Sequence, residues 1–73
     1  DLKQLRIKMK VGYIKEWNEL KGWGFIECEE EDQDYFFHIS KVRPGLKIRE
    51  GMEVKFDSTI TQRGDEAENV SHI

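Results

Sequence analysis

KGWGFIEC at residues 21–28 and DYFFHIS at residues 34–40 decide how this chain is read. Side chains alternate sides along an extended strand, so in the first stretch Trp23 and Phe25 share one face while Gly24, Ile26 and Cys28 share the other. The second stretch repeats the arrangement, with Phe36 and His38 on one side and Tyr35, Phe37 and Ile39 on the opposite one. If Ile26, Tyr35, Phe37 and Ile39 fill an interior, then Trp23, Phe25, Phe36 and His38 stand outside, where water makes such a cluster costly unless something covers it. Turning both strands over merely exposes the other set. Aromatic residues of a small domain are usually core, but here one aromatic face is exposed either way, and the alternation favours a face that holds a ligand.

Working outward, GYIKEW at 12–17, MEVKFDST at 52–59 and AENVS at 67–71 join 23–28 and 34–39 as short segments rich in β-branched or aromatic residues. Polar or glycine-containing stretches separate them. Those at 18–22 and 29–33 are tight enough to join antiparallel neighbours, 62–66 closes a last hairpin around Gly64, and 41–51 is a longer link carrying the only proline, Pro44. Five short strands predict an all-β domain, and in so few residues a small barrel is favoured over a sandwich, because closure protects strand edges. The domain is expected to span 9–73. Residues 1–8 read as a native or added leader whose apolar residues suit either a helix face or a strand, with Met9 as a possible natural start.

With 73 residues the chain has room for one small domain. Hydrophobic and charged residues each make up 37%, so a thin core and a densely ionised surface are expected. Cys28 has no second cysteine for a disulfide or a zinc cage and reads as a small core residue. No apolar run is long enough for a membrane-spanning helix, and a cytoplasmic setting is expected. The net charge of -3 argues against a protein that grips nucleic acid by charge alone. The charges are segregated, however: residues 27–34 hold six acids and no base, and residues 41–49 hold four bases and no acid.

Bases of a nucleic acid are a suitable cover for the aromatic face, since a ring stacks on any base at about 1–3 kcal/mol per contact with little sequence preference. Gly22 and Gly24 would let the strand and a bound ligand approach closely, and Lys15 and Lys21 flank the face to meet phosphates. The acids at 29–34 match no calcium loop and read as a solvated, repulsive hairpin tip. His38 lacks a neighbouring nucleophile or metal, so a hydrolase built on His38 and Asp34 is disfavoured. His72 reads as tail. No catalytic residue, metal or cofactor is expected.

KGWGFIE and DYFFHIS also resemble, in order and spacing, the two ribonucleoprotein motifs of cold-shock domains, and the resemblance extends over about 9–70. It implies a five-stranded antiparallel Greek-key barrel of the OB-fold type, binding single-stranded RNA or DNA across its first three strands. The family's stacking positions fall on Trp23, Phe25, Phe36 and His38, its phosphate-side lysines on Lys15 and Lys21, and its polar contacts on Asn18, Asp34 and Arg63. Trp17 is added as a further stacking ring. Where the family has Trp-Phe this chain has Glu16-Trp17, Ile39 replaces an aromatic, and the shorter link offers Lys41, Arg43, Lys47 and Arg49 in place of its usual ring. The leading expectation is a non-enzymatic single-strand binder, a nucleic-acid chaperone or regulator of transcription or translation, monomeric or weakly dimeric. The alternative is a protein-interaction or self-association module on the same barrel.

Overall fold

The structure, a computed structural model, describes residues 9–73. The expected leader at 1–8 lies outside the described residues. Five strands follow in order: β1 Lys10–Asn18, β2 Trp23–Cys28, β3 Gln33–His38, β4 Glu53–Thr61 and β5 Gly64–His72. They close into a barrel in the order β1-β2-β3-β5-β4, with β4 returning to β1. The pairings are antiparallel except where the barrel closes: β3 meets β5 in parallel at Phe36 and Glu66, and Val42 and Val70 form a second parallel bridge. This is the expected all-β, five-stranded barrel. The last hairpin is tighter than the sequence suggested, because β4 and β5 run up to a turn at Gln62 and Arg63.

Alternation fills the interior as anticipated from β2 and β3. Ile26, Cys28, Tyr35 and Phe37 are buried, and Ile14, Val54, Phe56 and Val70 complete most of the core from the other strands. Ile39 is a correction. It was expected inside, but β3 ends at His38, a short 3-10 turn occupies Ile39–Lys41, and Ile39 is 43% exposed. The His38 ring explains the stop, since its Nδ1 accepts the Ser40 backbone N–H and caps the turn.

Two bulges interrupt the alternation. Each places consecutive side chains on one side, as an extra residue in one strand does. In β1 the register slips between Ile14 and Glu16, and Lys15 and Glu16 both point outward. In β4 it slips between Lys55 and Asp57, and Phe56 and Asp57 are both buried. Asp57 takes a 2.8 Å hydrogen bond from Asn69 Nδ2, and Asn69 adopts the left-handed conformation (φ 53°) that asparagine tolerates better than most residues.

Candidate nucleic-acid interface

The outward face of β1, β2 and β3 is organised in rows set by strand register. The central row runs Glu16, Phe25, Phe36 and then Glu66 on β5. The next row runs Asn18, Trp23 and His38. Trp23, Phe25 and Phe36 form a triangle with centroid separations of 5.9, 5.8 and 6.1 Å. Two of the contacts are edge-to-face, and Trp23 lies at 30° to Phe36. Such packing holds the rings rigid while leaving each half-buried, with one surface still open to solvent.

Polar groups border the triangle. The Arg63 guanidinium lies 5.6 Å from the Phe36 centroid, within cation-π range, bringing the β4–β5 turn to the edge of the face. Lys15 Nζ donates to Asp34 Oδ2 at 2.8 Å, and this hydrogen bond raises the lysine above its ordinary range. Asn18 Oδ1 accepts the Lys21 backbone N–H at 3.0 Å, so that part of Asn18 shapes the β1–β2 turn and leaves the exposed Lys21 ammonium beside the face. His38 stands exposed across from Trp23. Because its Nδ1 accepts from Ser40 N–H, the neutral ring carries its proton on Nε2. Asp34 is engaged by Lys15 and His38 by Ser40, so no acid-histidine dyad forms between them.

Trp17 lies outside the ring triangle but lines a depression shared with Trp23. Beyond the β1 bulge it pairs with the inward Gly24 and stacks on the core ring of Phe37 at 5.5 Å and 7°. One of its faces is therefore taken by the interior. At Gly24 a Cβ would collide with the Glu16 carbonyl and the Trp17 ring, so this glycine lets β1 approach closely, as expected for the strand. Gly22 has φ +72° in the turn, a conformation suited to glycine.

The basic residues of the link are divided between two sides of the barrel. Lys47 and Arg49 join Lys21, Leu20, His38 and the edge of Trp17 around an open groove of about 660 Å³ that continues the aromatic face. Arg43 instead lies with Pro44, Lys55 and His72 at the β4–β5 side. Nor is the acidic turn simply a solvated tip. Glu29 accepts from the Tyr13 hydroxyl at 2.8 Å, and Glu31 accepts from both Lys10 and, at 2.5 Å, the Tyr35 hydroxyl. These partners lie on β1, which pairs with β2, and on β3, four residues beyond Glu31, so the contacts form within the β1–β2–β3 meander.

Compared with known proteins, residues 10–73 match the family model described as the 'Cold-shock' DNA-binding domain. The chain belongs to the cold-shock domain family. It is 44% identical over 64 residues to the cold shock-like protein CspB of Bacillus cereus, covering 85% of this chain and 97% of the relative. It is 42% identical over 67 residues to the cold shock-like protein CspLB of Listeria monocytogenes, covering 89% and 100%. Among solved structures the barrel is similar to Drosophila Unr CSD456, with a TM-score of 0.79 and 27% identity. That alignment takes in 99% of this chain and 29% of the Unr chain, so this cold-shock domain spans under a third of its length.

Proposed function

We propose that this cold-shock domain binds single-stranded RNA or DNA on the Trp23, Phe25 and Phe36 face, with low sequence preference, and keeps it unpaired as a nucleic-acid chaperone or regulator of transcription or translation. The observation that carries the reading is the ring triangle: three aromatic side chains, held by one another, open on an outward sheet face. Each accepts a base without inspecting its hydrogen-bonding edge. His38 extends the stack, Lys15, Lys21 and Arg63 meet the backbone, and Asn18 and Asp34 supply polar contacts. Trp17 has a lesser role at the rim, through the edge it shows to the groove. A repurposed protein-binding face is disfavoured because residues 10–73 match a family described as a DNA-binding domain. The domain acts without catalysis or cofactor and works in the cytoplasm as a monomer or weak dimer.

Titration with short oligouridine or oligothymidine, followed by tryptophan fluorescence, tests this. Saturable quenching at micromolar protein is expected, dominated by Trp23, so that Trp23→Phe removes most of the signal change and Trp17→Phe removes little. Absence of quenching by either oligonucleotide would exclude the reading.

A further inference from the structure

The central row of the face is asymmetric in charge. Its two rings are flanked by carboxylates, Glu16 beside Phe25 and Glu66 beside Phe36. At the Phe36 end Arg63 lies over the ring, and Glu66 accepts a 3.1 Å hydrogen bond from the Thr61 hydroxyl. At the Phe25 end, among the described residues, no side chain hydrogen-bonds or ion-pairs with Glu16. Lys15, the chain neighbour of Glu16, is drawn to Asp34, and nearby Glu50 accepts the Trp17 backbone N–H at 3.2 Å. The β1 bulge alone puts Glu16 there: without the slip in register it would point inward, and Trp17 would take the outward position.

We infer that Glu16 is a specificity-determining residue, which selects guanine at the base position stacked on Phe25. This rests on the reading of the ring face as a single-strand site. An ionised carboxylate only accepts hydrogen bonds, and its two oxygens match two parallel donors. Guanine offers that pair on its Watson-Crick edge, N1–H beside the N2 amino group. Uracil and thymine offer a single N3–H between two carbonyl oxygens, which a carboxylate repels; adenine and cytosine place a ring acceptor beside their one amino group. Unpaired bases present these edges freely. Glu16 also repels phosphate, so at this one position the backbone is held off the carboxylate and the base edge is turned toward it.

The test is a series of short oligouridines, each with one guanine substituted at a successive position, titrated against the native protein and Glu16→Gln. In the native protein guanine at one position tightens binding about tenfold, the size of a good two-point base contact. In Glu16→Gln, whose amide has one acceptor and one donor group, that advantage disappears while all-uridine binding is retained or strengthened. Glu16 is exposed, so the melting temperature checks that the variant folds as the native protein does. Binding of oligouridine with no positional guanine preference, or a preference that survives in Glu16→Gln, overturns the inference and leaves the binding face standing. Failure of every oligonucleotide to bind overturns both.

Discussion

Removing the Phe37 ring would empty a site that has no solvent exposure and on which Trp17 stacks, so Phe37→Ala is expected to cost about 3–5 kcal/mol of folding stability. The neighbouring Phe36→Ala removes a half-buried ring of the outward triangle together with the seat of the Arg63 guanidinium. It should weaken oligonucleotide binding by about 1–3 kcal/mol while changing stability far less. Chemical denaturation and fluorescence titration of both variants check the contrast, and similar losses of stability would mean that the faces are assigned wrongly. The faces of these two residues were legible because a strand has a period of two and no bulge interrupts β2 or β3. Trp17 was not legible for the converse reason. A bulge is a backbone event with no side-chain signature of its own, and one extra residue in β1 exchanged the directions of Glu16 and Trp17.

At the scale of elements, the link between β2 and β3 shows what composition conceals. Six acids in eight residues read as mutual repulsion, yet Glu31 ties the turn to β1 through Lys10 and to β3 through Tyr35. Hydrogen bonds from these two groups hold the Glu31 carboxyl below its ordinary value of 4.5, while burial and the bond to Glu31 push the Tyr35 phenol up. A carboxyl lowered in the folded state contributes stability that is present in full above its ordinary value and is lost as pH falls through the lowered one. Glu31→Gln should therefore be less stable than the native protein at neutral pH, and the gap should close as pH drops below 4.5. Denaturation midpoints of the two proteins across the acid range test this; a gap that stays constant would show that ionisation of Glu31 is irrelevant. The strands themselves could be anticipated from their apolar and aromatic content and from the turns between them. Their ends were less legible, because the stop of β3 at His38 depends on a side-chain cap onto Ser40.

At the scale of the whole molecule, net charge says little and placement says more. The barrel divides the basic link, turning Lys47 and Arg49 toward the groove beside His38 and Arg43 toward the β4–β5 side. For a single strand, log affinity falls with log salt by about 0.7 for each phosphate neutralised. Replacing Lys47 and Arg49 together by Gln should thus flatten the salt dependence, whereas Arg43→Gln should leave it unchanged; the slopes from titrations at several salt concentrations decide the matter, and an equal effect of both changes would contradict the division. The barrel itself closes between β3 and β5 through one paired position, Phe36 with Glu66, and the bridge from Val42 to Val70. Partial openings begin where the fewest backbone bonds hold elements together. Phe36 stands on that seam and also in the ring triangle, so a strand stacked on it would lie across the line with the fewest backbone bonds. A ligand that favours the closed barrel would then act as a clasp on its least-bonded edge.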